Sequence, residues 1–193
     1  MGHANDHPDH PDHPDHPEQN HPQKNAALTP APGATDPTDP TQAWRTDGVC
    51  VVRADQLDAN TAQTPGMQRA AAINHARVGA QRLWAGTVTI HPNAKTGAHH
   101  HGALESVIYV IRGKARMRWG DRLEFTAEAG PGDFIYVPPY VPHQEINASP
   151  DEALECVLVR SDNEAIVINL DIEPVEQPEN VPWVDPIHRH PHA

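Results

Sequence analysis

Short apolar runs separated by turn signals make up the middle of the chain. Trp84, Val88 and Ile90 fall at even spacings within residues 81–90, which is the period of a strand with one buried face. Gly120-Asp121 separates two further runs and is typical of a hairpin turn. The pattern therefore predicts short strands joined by tight turns.

About ten strands and no long helix are expected from this pattern. The predicted strands cover residues 49–54, 67–73, 81–90, 97–101, 106–112, 114–119, 122–129, 134–137, 143–147, 154–160 and 165–170. Turn signals at such short intervals indicate an all-β sandwich or barrel.

The two ends of the chain differ from the middle in composition. Residues 1–43 contain nine prolines, seven acids and one lysine, and residues 171–193 contain five acids and one arginine. With few large apolar residues to bury, residues 1–43 are predicted to be a disordered tail. Residues 44–170 are predicted to form one domain, and residues 171–193 an extended arm without regular structure. The arm has apolar residues that are expected to pin it to the barrel or to a partner subunit, namely Val181, Trp183, Val184 and Ile187.

Charge and cysteine content exclude some functions. The net charge is -12 and no basic patch is present, so nucleic acid is not an expected partner. No apolar run has the length of a membrane span, and the N-terminus lacks a basic-then-apolar signal pattern, so a cytoplasmic protein is expected. Cys50 and Cys156 lie in apolar, strand-like runs, which favours two buried thiols over a disulfide.

A repeat of His-Pro-Asp/Glu occupies part of the N-terminal tail. Its period of three matches a polyproline II helix, which would place its histidines along one edge roughly 9 Å apart. Such a row can gather divalent metals as an auxiliary site, although a solvated tail that binds metal incidentally is the favoured interpretation. The residues are His7, His10, His13 and His16.

The strongest chemical signal is the stretch from His99 to Glu105, with His143 about forty residues later. In an extended strand His99 and His101 share one face and His100 points to the other. Two imidazoles, a nearby carboxylate and a third imidazole from another strand can close around one metal ion.

These residues resemble the cupin superfamily. Its first motif runs Gly, five residues, His-x-His, three or four residues, Glu, six residues, Gly, and its second runs Gly, five residues, Pro-x-Gly, two residues, His, three residues, Asn. The first is matched here by His99, His101, Glu105 and Gly113, and the second by Gly132, Pro138, His143 and Asn147. The resemblance implies a single cupin barrel, a double-stranded β-helix or jelly roll, over roughly residues 44–170.

The chain departs from the cupin pattern at three places. Asn93 replaces the first glycine, and Tyr140 replaces the glycine of the second motif. Seven residues rather than six separate Glu105 from Gly113, so counting back six gives Ser106. One extra residue reverses the face of a strand unless a β-bulge absorbs it. We expect a bulge that keeps Glu105 inward, since an inward serine would leave three ligands.

The resemblance implies a site as well as a fold. It assigns His99, His101, Glu105 and His143 as ligands of one divalent transition metal, namely Fe, Mn, Ni, Cu or Zn, with a small-molecule substrate and a homodimer. Aromatic residues of the barrel are candidates for lining the pocket, namely Tyr109, Trp119, Tyr136 and Tyr140. Arg116 and Arg118 would offer a cation to an acidic substrate if either faced inward.

The resemblance leaves three functions open, because cupins carry many unrelated activities. The first is a metal-dependent oxidoreductase of dioxygenase type that acts on a small organic substrate. The second is a metal- or ligand-binding protein without turnover. The third is an isomerase or epimerase of a sugar or carbonyl compound. No catalytic residue is assigned by the sequence.

Overall fold

In the computed structural model, residues 39–45, 48–163 and 166–182 are described. The histidine repeat of the tail and three apolar residues of the arm (Trp183, Val184 and Ile187) lie outside them. The chain divides into two units, Met1–Gly48 and Val49–Ala193. In the first, Pro40–Arg45 form a 3-10 helix. The second contains the strands.

Most of the second unit is β-structure. The described strands are β1 (Met67–Ile73), β2 (Trp84–Ile90), β3 (His99–His100), β4 (Ser106–Arg112), β5 (Ala115–Trp119), β6 (Phe125–Ala129), β7 (Phe134–Val137), β8 (His143–Asn147), β9 (Leu154–Arg160), β10 (Ile168–Asn169) and β11 (Glu179–Asn180). The helices of this unit are α1 (His75–Val78) and the 3-10 turn Ala54–Gln56.

The strands form two sheets. One sheet has the order β1-β2-β9-β4-β7, and the other has the order β10-β3-β8-β5-β6-β11. The described pairs are antiparallel except β11 with β6, which is parallel. The all-β barrel expected from the sequence is therefore confirmed.

Strict alternation of buried and partly buried residues defines the core. In β2 and in β9 every second side chain, from Trp84 to Ile90 and from Leu154 to Arg160, is buried. Val110 of β4 is fully buried, and Ala115 of β5 packs into the same apolar cluster. The inner faces of the two sheets therefore share one core, and a polar residue at an inward position points into it.

Several predicted elements differ in the structure. Residues 49–54 form no strand, and Val49 and Cys50 are exposed. Apolar content alone suggested that strand, but no neighbouring strand pairs with it in the described part. The short α1 was not foreseen; it is capped by Asn74 and ends at Gly79, whose φ is 70°.

The described part of the arm runs beside β6. Val175 N–H donates to the carbonyl of Arg122, and Glu179 N–H donates to that of Glu124. Arg118 donates through Nη2 to the carbonyl of Val175 at 2.6 Å. The arm is thus extended, as expected, but it includes the short strand β11 in place of purely irregular chain.

No helix in the described part of the chain has both the length and the apolar character needed to cross a membrane.

The two cysteines should differ in reactivity. Cys156 is buried on β9, and burial, followed by the charge of Glu145, raises the pKa of its thiol to about 12. Because the thiolate is the nucleophile, iodoacetamide at neutral pH should modify Cys50 in the native protein and both thiols after denaturation. Mass spectrometry measures this directly. Rapid labelling of Cys156 in native Cys50→Ser protein would contradict the buried position.

Candidate metal centre

Three histidines from two paired strands meet inside the barrel. His99 of β3 is the register partner of His143 of β8, and His101 follows β3 directly. Their ligand nitrogens all lie within 4.8 Å of one another, and the ring centroids are 4.4 to 5.1 Å apart. All three residues are buried, with exposed fractions of 4%, 4% and 1%. The predicted sharing of one face by His99 and His101 is what brings them together.

Backbone carbonyl groups hold all three rings through Nδ1. The contacts are His99 to Gly97 (3.0 Å), His101 to Ile166 (2.8 Å) and His143 to Val141 (2.8 Å). A carbonyl oxygen only accepts, so each Nδ1 carries the proton and each Nε2 presents a lone pair. Hydrogen bonding of one ring nitrogen to a carbonyl is the usual way in which proteins orient a metal-ligating histidine.

Burial lowers the pKa of two of these imidazoles. Burial first, and then the charge of Arg160, lowers the pKa of His101 to about 3. Burial and the neighbouring His99 lower the pKa of His143. A metal ligand must be deprotonated, so at neutral pH both rings are in the form that binds metal.

One ligand nitrogen has no partner within the described residues. His143 Nε2 is buried and makes no hydrogen bond. Leaving a buried polar atom unsatisfied costs about 1–3 kcal/mol, and a metal ion would satisfy it. Three neutral imidazoles suit Fe, Mn, Ni, Cu or Zn, so the donor set fits a divalent transition metal.

Glu105 does not join the cluster, and its prediction as fourth ligand is corrected. Its side chain is exposed and accepts a hydrogen bond of 2.6 Å from the hydroxyl of Tyr136. This bond raises the pKa of Tyr136. The Glu105 carboxylate lies on the outer side of β4 and β7, where it cannot reach a metal between the histidines.

Ser106 takes the inward position in place of Glu105. It is 2% exposed, and the residues that alternate with it on β4, Val107 and Ile111, are exposed. The expected bulge exists, but the register shift with β9 falls between Val110 and Arg112, after Ser106. It therefore leaves Glu105 outward. Six residues separate Ser106 from Gly113, so serine occupies the place that the cupin pattern gives to glutamate.

The motif glycine at the end of β4 is explained by its surroundings. Gly113 has φ 87°, and a Cβ atom there would lie 2.6 Å from the carbonyl oxygen of Ala153. Asn93 stands at the other motif glycine with φ 58°, a conformation that asparagine tolerates better than most residues.

Asn147, the last residue of the second motif, has a structural role. Its buried amide Nδ2 donates to three carbonyl oxygens, those of Ile90, His91 and Glu152. Its side-chain oxygen accepts from the N–H of Ser149. Asn147 therefore holds the turn between β8 and β9 rather than binding metal.

The predicted pocket-lining aromatics separate into two groups. Trp119 and Tyr136 border an open groove of about 1200 Å³ that reaches His143 and runs along β5, β6 and the C-terminal arm. Tyr109 and Tyr140 do not. Tyr109 lies on the outer side of β4 with its ring centroid 4.8 Å from that of Phe134, and Tyr140 is 64% exposed. Neither residue lines this groove, because Tyr109 occupies an outward position on β4 and Tyr140 lies in the turn between β7 and β8.

Other residues considered from the sequence are engaged elsewhere. His100 faces away from the cluster, as expected, and its Nδ1 accepts from the N–H of Gly102. Arg116 pairs with Glu128 at 2.5 Å, and Arg118 donates to the carbonyls of Leu123 and Val175. Neither arginine is therefore free to meet a substrate at the histidines.

Sequence reasoning missed two charged residues inside the barrel. Arg160, the last residue of β9, is 7% exposed, and its Nη2 lies 3.4 Å from His101 Nε2. Glu145 of β8 is 8% exposed. The alternation of inward and outward residues along each strand could have predicted both inward positions. Arg160 continues the inward series of Cys156 and Leu158, and Glu145 is two residues from His143.

The two facing sheets and the three buried histidines define a small β-barrel with a candidate metal centre. Residues 86–160 match the family model of the cupin domain (Cupin_2). These residues therefore form a cupin domain.

Solved structures include similar barrels. KdgF from Halomonas sp. shares 20% identity with a TM-score of 0.49, and the match covers 61% of this chain and 96% of that one. An uncharacterized protein with a double-stranded β-helix domain from Klebsiella pneumoniae shares 18% identity with a TM-score of 0.48, over 58% and 91% of the two chains.

A larger protein also contains a similar barrel. Oxalate decarboxylase OxdC from Bacillus subtilis shares 25% identity with a TM-score of 0.48, over 56% of this chain and 29% of that one. The match thus spans less than a third of the decarboxylase. A search of curated protein sequences found no match.

The turn at Tyr140 provides a test of backbone strain. Tyr140 has φ 61° where the cupin pattern has glycine, and its ring is mostly exposed. A left-handed conformation costs a non-glycine residue about 1–2 kcal/mol, whereas glycine loses about 0.5–1 kcal/mol through entropy. Tyr140→Gly should therefore leave the free energy of unfolding unchanged or raise it by up to about 1 kcal/mol.

Denaturant unfolding measures this change, and Tyr136→Gly is the matched control. Tyr136 lies within β7, where glycine is unfavourable, so the control should lose stability by about 1 kcal/mol. Equal losses in the two variants would show that the Tyr140 backbone is not strained.

Proposed function

We propose that the chain binds one divalent transition metal ion through Nε2 of His99, His101 and His143, and uses it to act on a small organic substrate. The observation that carries the proposal is the common orientation of the three rings. Each Nδ1 is engaged by a carbonyl, which leaves Nε2 of each ring for a shared ion, and the ligand nitrogens of the three residues lie within 4.8 Å of one another.

A site with three protein ligands is typical of catalysis rather than of structural support. Structural sites close the coordination shell with protein side chains, whereas catalytic ones leave positions for water or substrate. With Glu105 turned outward and Ser106 inward, the described residues supply no fourth strong ligand to the cluster. The groove that reaches His143 supports access by a small molecule.

Within this class we propose a metal-dependent oxidoreductase of dioxygenase type. When bound, the metal would supply Lewis acidity or redox chemistry at positions open to substrate. The chain's own contribution is to orient the three imidazoles through backbone carbonyls and to bury them inside the barrel. Trp119, which borders the groove and is the register partner of His143, is proposed to contact the substrate.

We also propose that the protein is a homodimer and that it is cytoplasmic. The homodimer is implied by the resemblance to cupins, and the location is the expectation drawn from the sequence. Size-exclusion chromatography with light scattering tests the first, and a molar mass equal to that of one chain would contradict it.

Metal content tests the site. Full-length protein purified without added metal should contain about one iron, manganese, nickel, copper or zinc ion per chain at this site, measured by elemental mass spectrometry. The double variant His99→Ala/His143→Ala should lose it, because only one imidazole remains. Metal retained in full by the double variant would contradict the proposal.

Two controls separate this site from other ligands. Glu105→Gln should keep the metal, since the Glu105 carboxylate bonds Tyr136 on the outer side. Replacing His7, His10, His13 and His16 by alanine should remove only metal bound by the tail. If metal is lost in Glu105→Gln but kept in the histidine double variant, the proposed geometry is wrong.

The oxidoreductase proposal has its own test. Fe(II)-loaded protein exposed anaerobically to nitric oxide should give the EPR signal of a nitrosyl complex, because an oxygen-using site needs a position for a diatomic ligand. Full iron loading without that signal would count against dioxygenase chemistry and would favour a binding protein or an isomerase.

A further inference from the structure

We propose that Ser106 and Arg160 form a binding subsite for the carboxylate group of a small organic ligand, beside the three-histidine centre. This inference rests on the proposed metal site and names the class of ligand that would complete it. Four observations carry it: the pairing of the two residues, their burial, their unused hydrogen-bonding groups and the charge of the site.

Ser106 and Arg160 are neighbours on the inner face of one sheet. They are direct register partners between β4 and β9. Their residues are 2% and 7% exposed, and the guanidinium reaches the histidine cluster, with Nη2 lying 3.4 Å from His101 Nε2. The pair therefore lies beside the proposed metal position.

Both side chains have unused hydrogen-bonding capacity. Ser106 Oγ and Arg160 Nε are buried and have no partner within the described residues. Arginine carries five N–H donors, and the one side-chain contact found for Arg160 in this part of the chain is the long approach to His101. Donors that remain unsatisfied in a folded protein point to a ligand with acceptor oxygens.

The positive charge of the buried Arg160 also favours the binding of an anion. Burying a guanidinium without a contacting anion is costly, and the ion pairs found in the described residues, which involve Arg112, Lys114 and Arg116, do not include Arg160. Glu145 acts on Arg160 through its charge without forming an ion pair. A divalent metal on three neutral imidazoles would add two further positive charges.

A carboxylate matches this arrangement in geometry as well as in charge. Its planar pair of oxygens accepts the fork of guanidinium donors, and a serine hydroxyl can donate to the same group. In the cupin pattern a glutamate side chain would supply that carboxylate from the position of Ser106. Serine is smaller and carries no charge, so here the carboxylate would have to come from a ligand.

Metal and carboxylate should bind cooperatively. Arg160 donates towards the same His101 lone pair that the metal would take, so metal binding releases the guanidinium to pair with an anion. Each ligand should then raise the affinity for the other by the same factor.

The experiment uses full-length protein with Co²⁺ as a spectroscopic probe and malonate as the carboxylate. Malonate should shift the visible bands of the bound Co²⁺ in a saturable way and should tighten Co²⁺ binding by about tenfold or more. Propane-1,3-diol, which is neutral, and phosphate, which is tetrahedral, are compared at equal concentration. An equal response to phosphate would overturn the assignment to carboxylates.

Three variants locate the effect. Arg160→Gln and Ser106→Ala should bind Co²⁺ but lose most of the malonate response, and thermal unfolding confirms that both are folded. Ser106→Glu supplies an internal carboxylate, so this variant should bind Co²⁺ at least as tightly as the parent. Malonate should change neither its Co²⁺ spectrum nor its Co²⁺ affinity. An unchanged response in Arg160→Gln overturns the subsite.

The two proposals fail in different ways. If the parent binds no Co²⁺ that depends on His99 and His143, the metal site and the subsite are both wrong. If it binds Co²⁺ normally but malonate changes neither spectrum nor affinity, the metal site stands and the subsite is wrong.

Discussion

Hydrogen bonds from three imidazole Nδ1–H groups to backbone carbonyls set the chemistry of this barrel. The carbonyls belong to Gly97, Val141 and Ile166. Because they can only accept, they fix the tautomer of each ring and turn the Nε2 lone pairs towards one another. Each of these carbonyls lies two residues before a strand, β3, β8 or β10, so the barrel acts as the scaffold that makes three separate histidines into one candidate site.

Much of the fold was predictable because strand alternation is a local property. The bounds of β1, β4, β7, β8 and β9 match the ranges predicted from the sequence. The strand predicted for residues 49–54 is absent, because apolar composition does not determine whether a neighbouring strand is there to pair with them. The short β11 was not predicted for the opposite reason. Its pairing with β6 is a tertiary contact that its own composition does not indicate.

The site was predictable in part, and its error follows from one residue of register. His99, His101 and His143 could be placed by period and spacing, whereas the choice between Glu105 and Ser106 depended on where a bulge lies. Sequence does not mark that position, and the structure has it after Val110. A shift of one residue exchanges the two faces of a strand, which is why a carboxylate was expected where a hydroxyl lies.

That exchange changes the charge of the centre more than its shape. A cupin with an inward glutamate carries its own anion, which offsets part of the metal's charge. Here the inward Ser106 is paired with the cationic Arg160, which approaches His101, and Glu145 acts on Arg160 only through space. Coulomb interactions in a buried site are screened far less than in water. The site therefore lacks a negative charge that an anionic ligand can supply. In this way a departure from the family pattern would make the site selective for anionic ligands.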